Sequence, residues 1–220
     1  MSKVIIFGLQ DFAELAHYYL QSDSPHEVVA FCVHQAYLPE EKSFKGLPVV
    51  AFEEVEALYP PGQFSFFAPM APKKMNTVRQ QVYEEILQKG YQMISYISSR
   101  ATVLNAGAIG DNCFILEDNT IQPFVTIGNN VVLWSGNHIG HHSRIGNHVQ
   151  ITSHVVVSGH CVIEDNVFIG VNATIRDGIT LAEGSLIGMG AVVGKPTMPW
   201  SVYTGNPAIR LEGKDSRSLL

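Results

Sequence analysis

The 220-residue sequence is short of charge, of cysteine and of long apolar runs. Only 15% of its residues are Asp, Glu, Lys or Arg against 46% hydrophobic, which describes a folded protein and excludes a disordered one. The net charge of −6 leaves no basic surface for non-specific nucleic-acid binding. Cys32, Cys113 and Cys161 lie far apart, so there is no CxxC pair and no disulfide framework. No apolar stretch approaches the roughly 20 residues of a membrane span, and no basic-led signal segment opens the chain. These absences predict a soluble, cytoplasmic protein with neither membrane nor nucleic acid as partner. A dinucleotide fingerprint is missing too. The first strand-to-helix turn, Gly8-Leu9-Gln10-Asp11-Phe12, has one glycine where GxGxxG needs three, so NAD or FAD binding is not supported.

What the sequence has is a repeat of six. From Val103 to Val193, every sixth residue is Val, Ile or Leu, sixteen positions without a slip. A period of six fits neither an amphipathic helix nor a single alternating strand, and it is the mark of a parallel β-helix. Three hexads close one coil of 18 residues, with the aliphatic first position pointing inward. The second position is Gly in Gly110, Gly128, Gly140, Gly146, Gly170 and Gly188. The fifth is mostly small or β-branched, and Cys113 and Cys161 sit there as packing residues. Sixteen hexads give a little over five coils, a column of about 25 Å.

The first 100 residues read differently. Lys3–Phe7 is a buried strand, Asp11–Leu20 a helix with Asp11 as N-cap, and Val28–Val33 a second strand. A loop rich in Pro and charge spans 35–48. A short helix over Glu53–Tyr59, a strand over Phe64–Ala68, a helix over Asn76–Lys89 closed by Gly90, and a last strand over Met93–Ile97 follow. Alternating strands and helices predict a Rossmann-like α/β domain at 1–100, joined near Ser98–Arg100 to the β-helix and tail at 101–220. Ligands of such sheets sit beyond the carboxyl ends of the strands, here Gly8, Asp11, His34 and Met70. Lys73 and Lys74 precede a helix N-terminus. They are either solvated or face an anion such as a nucleotide diphosphate.

Histidine is concentrated in Trp134-Ser135-Gly136-Asn137-His138-Ile139-Gly140-His141-His142. The hexad phase sorts the histidines. His141 is a third residue, His138 a sixth, and His142, His148, His154 and His160 are all fourths. His142 and His160 are 18 apart and fall one coil apart on the same side, at about 4.8 Å. Two chemistries compete: one histidine acts as a general base toward a thioester, or several converge on a metal. No serine or cysteine arrangement suggests a covalent nucleophile.

The α/β unit before an unbroken hexad column, the segment Ser135–His142, the run Ile169-Gly170-Val171-Asn172-Ala173-Thr174 and the ending Gly205-Asn206-Pro207-Ala208 resemble the sialic acid O-acetyltransferase-like sugar O-/N-acyltransferases. Bacillosamine and perosamine N-acetyltransferases belong to that family. The resemblance implies a left-handed β-helix, a homotrimer with active sites between subunits, acetyl-CoA as co-substrate and no metal. It also implies a nucleotide-linked amino sugar held by the α/β domain, in surface-polysaccharide (O-antigen) biosynthesis. By phase, His141 matches the family's catalytic base. The acidic residue that often follows is replaced by His142, leaving Asn137, His142 or a neighbouring subunit to orient the ring. A second histidine found nine residues on in many members is Gln150 here. Gly159 matches the position whose N–H meets the thioester carbonyl. Val171 and Met189 match the pantetheine-binding positions, and Lys195 and Arg210 are candidates for the CoA phosphates. Gly8, Asp11, His34, Met70, Lys73, Asn137 and His138 are the candidate substrate-binding residues. Sugar O-acetylation, a metal-dependent hydratase like the γ-class carbonic anhydrases, and a non-catalytic scaffold trimer stand as alternatives.

Overall fold

A computed structural model describes residues 1–104 and 108–220. Its N-terminal unit contains β1 (Lys3–Phe7), α1 (Asp11–Ser22), β2 (Glu27–Val33), β3 (Ser43–Phe44), β4 (Leu47–Ala51), α2 (Val55–Leu58), β5 (Phe64–Phe67), α3 (Thr77–Gln88) and β6 (Gln92–Met93). The strands form one sheet in the order β3-β4-β2-β1-β5-β6, parallel except for the β3–β4 pair. The strand order reverses between β1 and β5, so the chain leaves β1 for α1 on one face of the sheet and β5 for α3 on the other, and a crevice opens at their carboxyl ends.

Three boundaries depart from the sequence expectation. Asp11 is the first helical residue and Gln10 the N-cap, with no side-chain cap bond. The expected 35–48 loop contains a 3₁₀ turn at Gln35–Tyr37 and the β3–β4 hairpin, because Gly46 at φ +77 supplies the turn. The expected Met93–Ile97 strand is two strands: β6 pairs with β5, whereas Tyr96–Ile97 pairs with Phe114–Ile115 in the column. Among the described residues no helix is long and apolar enough to cross a membrane.

The column follows the hexads. Side one carries strands ending at Ile97, Ile115, Leu133, Ile151, Ile169 and Ile187, and side two those ending at Val103, Ile121, Ile139, Val157, Ile175 and Val193. Side three carries those ending at Ile127, Ile145, Ile163 and Leu181. From Ile115 to Val193 every first-position side chain is at most 4% exposed, and every described aliphatic, cysteine or serine at the fifth position is buried as well. At each corner the fourth residue takes a left-handed turn: Asn112, Asn130, His142, His148, His154, His160, Asn166 and Asn172 all have φ between 49° and 61°. Asn and His tolerate that region better than other side chains do. This explains four of the histidines without any chemistry.

The N-terminal unit sits on side one. Phe114, Leu116 and Val132 from the column pack into the same core as Val4, Ile6, Leu20, Phe31 and Phe67. Along the corner between sides three and one, fourth-position residues form a ladder: Asn112 Nδ2 donates to Asn130 Oδ1 (2.8 Å), and Asn130 Nδ2 to His148 Nδ1 (2.9 Å). Ala68 N–H donates to Asn112 Oδ1 (2.8 Å), and α3 docks on the rest.

Arg79 on α3 is fully buried in this ladder. Its guanidinium donates to the Asn130 carbonyl and Oδ1, to Asn76 Oδ1 (2.9 Å) and to the His148 carbonyl (2.9 Å). Burial pulls its pKa down to about 9, so it stays charged at neutral pH, compensated by oxygen dipoles. Arg79, near the start of α3, turns into the column.

His148 accepts from Asn130 through Nδ1 and is therefore neutral, and burial lowers its pKa to about 4. Between the unfolded value of about 6.5 and 4, the unfolded chain binds the extra proton. Stability due to this group is fully present above pH 6.5 and is lost as pH falls from 6.5 through 4, by on the order of 3 kcal/mol. His148→Asn keeps a left-handed turn residue and removes the titration. Urea unfolding of the variant is expected to show a shallower fall between pH 6.5 and 4 than the parent.

Candidate active site

Two constellations stand on different corners of the column. The first is at the corner between sides two and three, where third-position residues Pro123, His141, Gly159, Asp177 and Lys195 follow one another at intervals of 18. His141 is exposed. Its backbone N–H donates to Gln122 Oε1 (2.9 Å), which fixes the turn one coil below. Its ring lies directly against the next coil: a Cβ added at Gly159 would stand 2.8 Å from His141 Cε1 and 2.9 Å from Nε2. Only glycine permits that approach. The Gly159 N–H has no hydrogen-bond partner among the described residues. The same hypothetical Cβ lies 3.0 Å from Asp177 Oδ1. Asp177 was missed by sequence reasoning, although two steps of 18 from His141 reach it.

His141 Nδ1 is 3.1 Å from His142 Nδ1, so one ring donates a proton to the other. His142 in turn stacks on His160, one coil on, with centroids 4.9 Å apart and planes at 13°. This is the spacing expected from the repeat. Phe124 packs on the other face of His142 at 4.6 Å. Of Asn137 and His142, the two groups of this chain considered for orienting His141, His142 is the one in contact. Asn137 is a buried fifth-position residue: its amide caps the Trp134 carbonyl and accepts from Val155 N–H (2.8 Å). His138 lies half-buried in a side-two strand, and Gln150 is buried in a side-one strand. None of the three lines the pocket described next.

The second constellation is a pocket of about 820 Å³ at the carboxyl ends of β1 and β2. Gly8, Asp11, His34, Met70 and Lys73 all line it. Gly8 has φ +114, which lets the chain turn sharply from β1 into α1. His34 is pinned between Glu53 (3.5 Å) and Glu85 (3.4 Å), and Phe7 and Phe52 meet its ring edge-on. Lys73 is the one Lys or Arg of the lining and has no ion-pair partner among the described residues; its neighbour Lys74 uses its backbone N–H on the Leu220 carbonyl (2.7 Å). Trp134 closes the pocket from the column, with its ring 5.5 Å from Phe12. It too was missed, and the signal was available: it is the single aromatic among second-position residues.

Trp134 belongs to the corner between sides one and two. Val171 and Met189 continue that corner at the third position, 39% and 79% exposed. Lys195 belongs to the His141 corner, and Arg210 to the terminal hairpin of Ser201–Thr204 and Ile209–Asp215, with Nη1 against Met198 Sδ. Within one chain the pocket and His141 therefore flank side two from opposite edges.

Gly159→Ala tests the contact at His141. The atoms displaced are the ends of side chains, so stability is expected to change little. An imidazole moved by about 1 Å is expected to lose about 10²-fold in kcat. A wild-type rate in a folded Gly159→Ala protein contradicts a role for His141.

Comparison with known proteins gives a repeat and a fold. The model of the bacterial transferase hexapeptide (six repeats) matches residues 108–141, 125–159 and 160–195. Curated proteins give no match. PerB from Caulobacter crescentus, solved with CoA and GDP-perosamine, superposes with a TM-score of 0.82 at 20% identity, covering 96% of this chain and 98% of that one. The acetyltransferase domain of PglB from Neisseria gonorrhoeae gives 0.81 at 21% identity, over 96% and 100%. WeeI from Acinetobacter baumannii gives 0.76 at 20%, over 96% and 100%. The chain thus carries the bacterial transferase hexapeptide repeat from residue 108 to residue 195, and shares the fold of these three structures along nearly its whole length.

Proposed function

We propose that this chain is an acetyl-CoA-dependent N-acetyltransferase acting on the amino group of a nucleotide-linked amino-deoxysugar, with His141 as general base. The observation that carries this is the His141 ring held against Gly159, whose N–H has no partner among the described residues, at the edge of a column whose other edge bears a large pocket. Two similar structures add support: one was solved with CoA and GDP-perosamine, and the PglB domain has also been solved with acetyl coenzyme A.

In this reading the N-terminal unit is a Rossmann-like nucleotide-sugar-binding domain and the column a left-handed β-helix. Lys73 and the start of α3 take the diphosphate, and Trp134 stacks on the sugar or base. The Nδ1–H of His141 donates a hydrogen bond to His142 Nδ1, which leaves Nε2 free to accept. The amine nitrogen attacks the thioester carbonyl carbon while its proton passes to Nε2. The Gly159 N–H receives the developing oxyanion. The C–S bond then breaks, and the CoA thiolate takes the proton back from His141. No step uses a metal or a covalent enzyme intermediate.

One chain holds the pocket and the base on opposite edges of side two, so a second chain supplies the missing half, as in a homotrimer. Phe124, Val156 and Val162, exposed by 66%, 40% and 37% around the His141 corner, suit burial against that neighbour. Val171 and Met189 of one chain and Lys195 of the next then border one CoA groove. The assembly works in the cytoplasm, on a precursor of surface polysaccharide.

Chain mixing tests this arrangement. His141→Asn and Gly8→Val proteins, each inactive alone, are expected to regain part of the wild-type rate after unfolding and refolding together. A mixture with no recovered activity, from chains that refold as oligomers, contradicts a shared site. A thermal-shift series with UDP-, dTDP- and GDP-linked amino sugars then identifies the base.

A further inference from the structure

The cluster His141–His142–His160 holds more nitrogen donors than a general base needs. Its three imidazoles come from two successive coils, each with a donor atom within 4.8 Å of the other two, and all three are exposed. His142 and His160 lie nearly parallel. The His141 ring stands edge-on to both, at 88° and 87°, with centroids at 5.3 and 5.1 Å. The backbones are fixed. His142 and His160 occupy left-handed corners at φ 58° and 56°, and His160 N–H donates to the His141 carbonyl (2.9 Å). The other corner histidines are committed elsewhere: His148 is buried against Asn130, and His154 lies against Gly136.

We infer that His141, His142 and His160 form a site for a borderline transition-metal dication such as Zn²⁺, Ni²⁺ or Cu²⁺, and that filling it inhibits the enzyme. The inhibitory half rests on His141 being the base proposed above.

The donor set decides the metal class. Three neutral imidazoles and no carboxylate suit borderline dications and exclude Ca²⁺ and Mg²⁺, which want oxygen. Zn–N bonds of about 2.0–2.1 Å at tetrahedral angles place donor nitrogens about 3.4 Å apart. The His141 and His142 Nδ1 atoms stand 3.1 Å apart already, so a dication replaces the proton they share. His160 reaches in by a rotation of its exposed side chain, and water fills the fourth position. With Nδ1 on the metal, the His141 ring loses the hydrogen bond that sets its tautomer.

Co²⁺ is the probe, because its visible d–d bands report nitrogen coordination directly. EDTA-treated full-length protein is expected to bind one Co²⁺ per chain and to release it to Zn²⁺. Zn²⁺ is expected to inhibit acetyl transfer over the same concentration range, with recovery on chelation. His160→Asn keeps a turn-compatible residue and leaves His141 in place. Loss of a partner outside a ligand set alone costs about 10–100-fold in metal affinity, so losing this ligand is expected to weaken both Co²⁺ binding and Zn²⁺ inhibition at least as much. Absence of Co²⁺ binding below millimolar, or binding unchanged in His160→Asn, overturns the site and leaves the acetyltransferase proposal standing. Acetyl transfer that needs added metal after EDTA treatment overturns both.

Discussion

Replacing His141 by Asn is expected to lower kcat for acetyl transfer by about 10²–10⁴-fold, the range that a positioned general base contributes. The change leaves the fold intact, because His141 is an exposed third-position side chain whose backbone N–H, not its ring, holds the turn through Gln122. KM for acetyl-CoA is expected to move little, since the ring acts on the attacking amine and not on the thioester's binding. His142→Asn is expected to have a smaller effect with a different signature. It keeps the left-handed turn and removes the Nδ1 partner, so the pH–rate profile shifts along with a moderate loss of kcat. A fall in KM affinity alone, with kcat and the profile unchanged, argues that His142 only packs.

The largest expected effect on stability comes from Arg79→Met. Methionine approximates the length of the stem but leaves the Asn130 and His148 carbonyls and Asn76 Oδ1 without their donor in a dry interface. Each unsatisfied buried acceptor costs about 1–3 kcal/mol, so a loss of at least about 3 kcal/mol is expected. A second cost follows. Lys74, Met75 and Asn76 form a left-handed run at φ 50°, 54° and 64°, a conformation that costs about 1–2 kcal/mol per residue and is held by Arg79 and Asn166 together. Lys73 enters the pocket from this run, so loss of Arg79 is expected to weaken nucleotide-sugar binding even where the protein still folds. Chemical denaturation measures the first effect, and calorimetric titration with the nucleotide sugar the second. Arg79→Met with parental stability contradicts the account of the interface. Arg79→Lys keeps the charge but not the fork, and is expected to recover only part of the loss.

The column was legible residue by residue because a six-residue period has one physical solution. Ile115 to Val193 are buried as the phase requires, and the 18-residue step places His142 on His160 and His141 on Gly159. The pocket-lining residues Gly8, Asp11, His34 and Met70 were legible because strand ends in a parallel sheet converge, and Lys73 because it precedes a helix N-terminus. Contacts between the two parts were not. Nothing local to Arg79 announces that its guanidinium meets carbonyls about 50 and 70 residues away. Tyr96–Ile97 reads as an ordinary apolar strand, and only tertiary pairing assigns it to the column. Asn137 sits inside a chemically suggestive segment, yet its fifth-position phase already assigned it to the interior. The local motif and the repeat pointed different ways, and the repeat prevailed.

In the proposed function a base on one edge of the column serves an amino sugar held in the N-terminal pocket. Turnover of acetyl-CoA by the full-length protein, with UDP-, dTDP- and GDP-linked amino sugars, measures it most directly. Wild type and His141→Asn are run side by side in EDTA. Amide formation on one of these acceptors is expected from the wild type, with a loss of about 10²–10⁴-fold in the variant. Equal turnover by the two proteins, or a folded wild type that acetylates none of the amines, contradicts it.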